Sequence, residues 1–426
     1  EYAFSATGLK TLTIGKGLKE IKYSSFENLT SLRSVILSEG LESIGDNAFN
    51  GCSGLRSLVI PDSVKNIGYS VFTGCTGMNS ITIGSGIETI PESMFAGLKN
   101  LKNVTFKEGL KAIGDNAFDG CTGLATISIP NSVTSIGSHA FRNCSSAASL
   151  KLGSSLTTIK EYAFDGCSLL KTFDLPSKVS HIGAYAFNGC KSMTELVIPE
   201  STQYIGDYAF YGCSGIVTMI IKNGAIGEHT FDGCTSLMTL TVEKGSIGDY
   251  AFQNIKTLSK ISLGGETLGK GVSSIGKYAF SNCTGLLEIV IPESVVDMSH
   301  GVFMECTKLR SAVIGNNVKF VGDSAFEGCT SLKDVSLGNR ISSIGYRAFY
   351  NCPLSTVVIP ESVKYIYRNA FYNYNTRING IHIDAIFYFK SITPPQYEYR
   401  IVSSGNKMYV PMQSISLYKD AMDSNW

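Results

Sequence analysis

Twelve cysteines are the most reactive residues in this chain: Cys52, Cys75, Cys121, Cys144, Cys167, Cys190, Cys213, Cys234, Cys283, Cys306, Cys329 and Cys352. A thiol can form a disulfide, ligate a metal or act as a nucleophile, and each use needs a partner at short range. No C-x-x-C pair occurs, so the spacing of a metal knuckle or redox couple is missing. Every cysteine instead stands three residues after a phenylalanine, one per repeat, and where it is absent the position carries Thr7, Leu29, Leu98, Ile255 or Tyr374. These mostly apolar replacements imply a buried packing site. The thiols are therefore expected to be free, parallel on successive coils, and to act as small hydrophobes and weak S–H donors.

The remaining candidates for chemistry are sparse. The five histidines, His139, His181, His229, His300 and His382, form no H-E-x-x-H pair and read as surface residues, and there is no G-x-S-x-G elbow. Asp-Gly pairs at 119, 165 and 232 lack the alternating oxygens of a calcium loop and read as turns. The run GGETLGKG at 264–271 lacks the Gly-Lys-Ser/Thr ending of a phosphate loop. No catalytic, cofactor-binding or metal-binding residue is assigned, and the expectation is a non-enzymatic protein without a cofactor.

The elements that position these residues follow from a period. Seventeen phenylalanines recur from Phe4 to Phe371, and eleven of the sixteen spacings are 23 residues. A repeat of this length marks a solenoid, whose coils bury their apolar faces by stacking on one another. In the unit from Leu55 to Cys75, Leu58 and Ile60 point inward and Val59 outward on a short strand that Pro61 ends. A second extended piece places Val64 and Ile67 inside, with Gly68 at the next corner. The third side is expected to be a short helical turn holding the Phe, opened by N-capping residues such as Asp46, Asp115, Asp207, Asp249 and Asp323. Two residues after the Phe stands Gly nine times and Asn six times, the pair that tolerates positive φ. The fold expected is thus an α/β solenoid, a curved superhelix of about 17 coils over 1–386, each with a parallel strand, an extended segment and a helical turn.

The recurring L-x-x-V-x-I-P-x-S-V-x-x-I-G-x-x-A-F-x-G-C resembles the BspA-like leucine-rich repeats of bacterial surface proteins, from about Glu1 to Asn373. The tail, with Ile392-Thr-Pro-Pro395, Met408-Tyr-Val-Pro411, Tyr418-Lys-Asp-Ala421 and Trp426, resembles the closing segment of such proteins from host-associated anaerobes. The resemblance implies an exported, surface-located protein and, for some members, adhesion to host proteins or other bacteria. The chain starts at Glu1 in the middle of a repeat, so a missing upstream segment is expected, either a processed signal or a trimmed one.

Composition narrows the partner. With 36 basic and 35 acidic side chains, nothing favours nucleic acid or an anionic membrane, and no apolar run approaches bilayer length. Phe spacings of 21, 21 and 28 residues between Phe210 and Phe280 mark two short coils and the added 264–271 loop. Segment 387–426 leaves the repeat and carries Tyr388, Tyr397, Tyr399, Tyr409, Tyr418 and Trp426, read as a cap on the last coil in preference to an aromatic glycan surface. The outward strand positions form the expected binding face, a continuous ladder in which Ile36, Val59, Lys151, Asp174, Val197, Ile220, Val290, Val313, Val358 and His382 are the candidate residues. The function expected is protein–protein binding or adhesion through that face to a host or bacterial surface protein. The alternatives are a spacer for an upstream domain, or a glycan-binding module using the C-terminal aromatics.

Overall fold

The computed structural model describes residues 4, 7–264, 271–373, 377–378, 381–382, 385–397, 402 and 406–423. The chain forms a parallel β-solenoid of the leucine-rich-repeat type, with about 16 turns of ~23 residues, one fewer than the repeat phenylalanines suggest. It divides into two units, Glu1–Ile216 and Val217–Trp426.

The first side of all but one of the described coils is the strand foreseen from the alternation. Leu58 and Ile60 are buried and Val59 is exposed, and the same pattern recurs along Glu195–Ile198 and Glu288–Ile291. The ladder these strands form is not continuous. In the first unit it splits into Thr11–Ile14 with Ser34–Leu37, then Ser57–Val59 with Ser80–Ile83 and Asn103–Phe106, then Thr126–Ser128 with Ser149–Lys151. The next coil, carrying Asp174, has no strand on this side. There Thr172 Oγ1 accepts the amides of Thr194 and Glu195 at 3.2 and 3.3 Å. Two coils earlier, the backbone carbonyl of Ala125 accepts the equivalent amides, those of Ala148 and Ser149. A side-chain oxygen has displaced the ladder acceptor. In the second unit Thr218–Ile221, Thr239–Val242 and Lys260–Ser262 form one run. A six-stranded run follows through Glu288–Ile291, Ser311–Ile314, Asp334–Ser336, Thr356–Ile359, Ile386–Phe389 and Lys407–Tyr409.

The more persistent ladder is the second side, two residues per coil in most turns. In the first unit Thr89–Ile90, Ala112–Ile113, Ser135–Ile136, Thr158–Ile159, His181–Ile182 and Tyr204–Ile205 pair in order. The second unit has eight such strands, from Ala225–Ile226 to Gln396–Tyr397.

The third side is not helical, which corrects the α/β assignment. The helices among the described residues are Ile415–Asp423 and the short 3-10 turn Met412–Ser414. The Gly or Asn two residues after Phe is left-handed as expected (Gly51 φ 74°, Asn143 φ 57°), and so is Glu305 at 61°. The residue two before Phe is left-handed as well: Asn47, Ser70, Tyr162, Tyr185 and Arg347 all have φ near 55°. Two left-handed residues within five turn alternate peptide units along the stack, whereas a helix aims every amide along its own axis. Asn47, Phe49 and Gly51 thus donate to Tyr69, Val71 and Thr73 of the next coil at 3.0, 3.1 and 2.7 Å. Ala48, Asn50 and Cys52 bond three residues back within their own coil. Asp46 caps no helix, since its Oδ1 accepts the Tyr69 amide of the next coil at 2.8 Å, and Asp115, Asp249 and Asp323 do the same for Ser138, Lys277 and Tyr346.

The core is a stack of phenylalanines. Ring centroids of Phe141, Phe164, Phe187 and Phe210 lie 5.4, 5.2 and 5.2 Å apart, and those of Phe303, Phe326, Phe349 and Phe371 lie 5.4, 5.2 and 5.2 Å apart. All twelve cysteines are free and buried beside them. Cys75, Cys167 and Cys306 each donate S–H to the Phe carbonyl of the preceding coil, at 3.2, 3.3 and 3.2 Å. Burial pushes the Cys121, Cys167, Cys213 and Cys283 thiols up to about 12, so they stay protonated and unreactive.

Candidate protein-binding face

Strand alternation sets which residues reach solvent. In the first unit Ile36, Val59, Lys151 and Val197 are exposed on long strands, but on separate runs of the broken ladder. Asp174 is exposed on a segment without strand geometry. In the second unit Ile220 is exposed beside Thr241 of the next strand.

The six-stranded run gathers the other candidates and extends them. Val290 pairs in register with Val313, which pairs with Ser336, and Val358 pairs with Tyr388, which pairs with Tyr409. These apolar and aromatic members are 60, 44, 40, 42 and 49% exposed, in the order Val290, Val313, Val358, Tyr388, Tyr409. Tyr388 and Tyr409 stack face to face at 4.8 Å. A parallel row of outward residues, Glu288, Ser311, Asp334, Thr356, Ile386 and Lys407, runs beside them with both signs of charge.

His382 does not follow Val358 in this row. It lies on Ile381–His382, which pairs antiparallel with Arg377–Ile378. That insertion shifts the next ladder member from His382 to Tyr388. Counting by the repeat length therefore missed Tyr388 and Tyr409. The overlooked signals are the Asn379-Gly380 pair, typical of a two-residue hairpin, and the alternation in Ile386-Phe-Tyr-Phe389.

Tyr418, read in the sequence as one of the tail aromatics, is buried. It packs edge-on against Phe389 at 5.6 Å and donates its hydroxyl to the Ser391 carbonyl at 3.1 Å, and burial raises its pKa to about 12. It docks the helix Ile415–Asp423 beside the last strand, leaving a recess of about 370 Å³ lined in part by Met408, Tyr409 and Ile415. The side chains of Tyr397, Tyr399 and Trp426, and residues 265–270 of the inserted loop, lie outside the described residues. Among the described residues no helix is long and apolar enough to cross a membrane, and no group of His, Cys, Asp or Glu is placed to hold a metal ion.

Parallel coils, strand-lined sides and a consensus leucine/isoleucine core define a leucine-rich-repeat solenoid, a class whose fold suggests a protein-binding role. A family profile described as BspA type leucine rich repeat region (6 copies) matches residues 1–125, 111–238, 205–270 and 245–377. The chain belongs to this BspA-type leucine-rich repeat family. Among solved structures it is similar to a leucine-rich repeat protein from Bacteroides ovatus ATCC 8483, at 27% identity and TM-score 0.53, over 78% of this chain and 88% of that one. A leucine rich cell surface protein from Faecalibacterium prausnitzii A2-165 matches at 23% identity and TM-score 0.38, over 79% of this chain and 80% of that one. The pneumococcal vaccine antigen PcpA matches at 18% identity and TM-score 0.34, over 94% and 79%. No curated protein matches the sequence.

Proposed function

We propose that this chain is a non-enzymatic, exported surface protein that adheres to another protein, on a host or a neighbouring bacterial cell, through the outward face of residues 288–409. The observation that carries the reading is the row Val290, Val313, Val358, Tyr388 and Tyr409, held on one parallel sheet and left in solvent. Ser336 divides the row into two apolar groups, Val290 with Val313 and Val358 with Tyr388 and Tyr409; a monomer seldom leaves apolar groups clustered in solvent, and a row on a rigid sheet loses little entropy when a partner covers it. Aromatic anchors among smaller neighbours are also the usual composition of binding hot spots. The test is biolayer interferometry of the intact chain against fibronectin, laminin, collagen, mucin and bacterial surface extracts. Any protein bound by the intact chain is expected to lose at least about tenfold affinity with Val313→Asp plus Tyr388→Asp, and none with Lys151→Ala. Binding that survives the double change contradicts the reading.

The segment after residue 386 serves in the same reading as the cap of the last coil, fastened by Tyr418. Its strands Ile386–Phe389 and Lys407–Tyr409 continue the ladder while its helix covers the end. Truncation after Asn373 is expected to give aggregated protein in size-exclusion chromatography, whereas a soluble truncated monomer would show that the segment is not a cap. The stacking of Tyr388 on Tyr409 occupies their mutual faces, and Tyr418 is buried, which disfavours these rings as a sugar platform.

A further inference from the structure

In the first unit the second-side ladder is interrupted at one place. In the flanking coils the residue after the short strand donates its amide to the isoleucine carbonyl one coil back: Gly45 to Ile21 at 2.7 Å, Gly68 to Ile44 at 2.8 Å, Gly114 to Ile90 at 2.9 Å and Gly137 to Ile113 at 2.8 Å. The residue at that corner after Ile90 is Pro91, which has no N–H to give to Ile67. The strands Asn66–Ile67 and Thr89–Ile90 do not pair, and the ladder divides there into one run of three and another beginning at Thr89. The long strands of the same two coils, Ser57–Val59 and Ser80–Ile83, stay paired in register, while on the third side Ser70, Phe72 and Gly74 make none of the cross-coil bonds that Asn47, Phe49 and Gly51 make, so the coils part on the second and third sides and stay joined on the first.

The consequence reaches the core. Ile67 is half-buried, whereas Ile21, Ile44, Ile90 and Ile113 at the same position are fully buried. The parting is open to solvent as a groove of about 1020 Å³. It is the size of a small-ligand site, and its lining is mixed, with Ile67, Ile90, Pro91 and the Tyr69 ring set among a larger number of polar and charged groups.

We infer that this groove is a binding site for a neutral oligosaccharide, separate from the protein-binding face proposed above. The apolar contribution comes from Ile67, Pro91 and the ring of Tyr69, which is 65% exposed. Both acceptors and donors line it. The Ile67 carbonyl lacks the cross-coil amide its counterparts receive, while Asn66, Thr89 and Glu92 line the same groove. A sugar ring offers an apolar C–H face and hydroxyls that both donate and accept, so one ligand satisfies all of these. Charge selects against an ionic ligand. Lys65 and Lys111 line the groove together with Glu88, Glu92 and Asp115, and Lys111 already pairs with Glu88 at 2.7 Å. An added peptide strand needs a run of in-register amides, and each strand edge here is two residues long.

The test uses the full chain, with saturation-transfer NMR and calorimetry against maltotriose, cellotriose, mannotriose and chitotriose, and a blocked Ala-Ser-Ala-Ser peptide for comparison. At least one trisaccharide is expected to bind with a Kd below about 10 mM. Pro91→Gly restores the missing donor and the residue used at the neighbouring corners. It is expected to rejoin the two strands, raise the Tm, protect the new amide from exchange and weaken sugar binding by about tenfold or more. Tyr69→Ala, at an exposed side chain that leaves the backbone unchanged, is expected to weaken binding similarly at unaltered Tm. Failure of all four trisaccharides at about 10 mM, binding of the peptide in their place, or sugar binding unchanged in Tyr69→Ala overturns the inference.

Discussion

The outward face of residues 288–409 and the equivalent positions of residues 126–198 are built on the same repeat and end up with opposite characters. The first is six strands in unbroken order, showing Val290, Val313, Val358, Tyr388 and Tyr409. The second shows Ser128 and Lys151, then loses its strand where Asp174 stands, because Thr172 Oγ1 takes the amides that a backbone carbonyl takes two coils earlier. Beneath them the phenylalanine stacks have matching 5.2–5.4 Å spacings, and the thiols bond the same carbonyl. Inward positions therefore close the coil, and outward positions are free to acquire a binding character or to lose a ladder bond without opening it.

The comparison breaks if the two cores are not equivalent. Phe187→Ala and Phe326→Ala each remove a fully buried ring between two stacked neighbours. Each is expected to cost about 3–5 kcal/mol in denaturant unfolding. Values differing by more than about 2 kcal/mol would show that the repeat packs differently beneath the two faces.

The shared thiols give the next effect. A thiol raised from 9.0 to about 12 on folding, as at Cys167 or Cys283, favours the protonated folded state. Below pH 9 both states hold the proton and stability does not depend on pH. Above it the unfolded chain ionises first, binds fewer protons, and stability falls by about 1.4 kcal/mol per thiol per pH unit until the folded thiol titrates. Circular dichroism melts are expected to be flat from pH 7 to about 8.5 and to collapse between about pH 9 and 11 in both regions. A Tm independent of pH up to about 11 would contradict the buried thiols.

Smaller effects sharpen the difference between the faces. Thr172→Val removes the side-chain acceptor of Thr194 and Glu195 and is expected to cost about 1 kcal/mol, read in urea unfolding. Stabilisation would mean that the backbone ladder re-forms once the hydroxyl is gone. Val290→Asp is expected to change stability by no more than about 0.5 kcal/mol, because its side chain is 60% exposed. A larger loss would make that row part of the core and remove its claim to be a binding surface.

What the sequence determined by itself is the period, the inward residues and the state of the thiols. Leu58, Ile60, Phe72 and Cys75 recur with the repeat because each is enclosed by its own counterparts one coil away, so burial is written into residue type. The left-handed residue after most of the repeat phenylalanines was legible for the same reason, since Gly and Asn are chosen for their backbone. Tertiary structure decided the rest. Tyr162 or Arg347 at a left-handed position carries no such mark, and without it the third side reads as a helix. Tyr388 enters the outward row because an antiparallel insertion at Arg377–His382 displaces the next strand, which counting by the period cannot follow. Pro91 opens the ladder because a carbonyl 24 residues earlier loses its donor. Each of these outcomes depends on where a backbone hydrogen bond points between neighbouring coils, and that direction is set by the stacked conformation and not by the side chain alone.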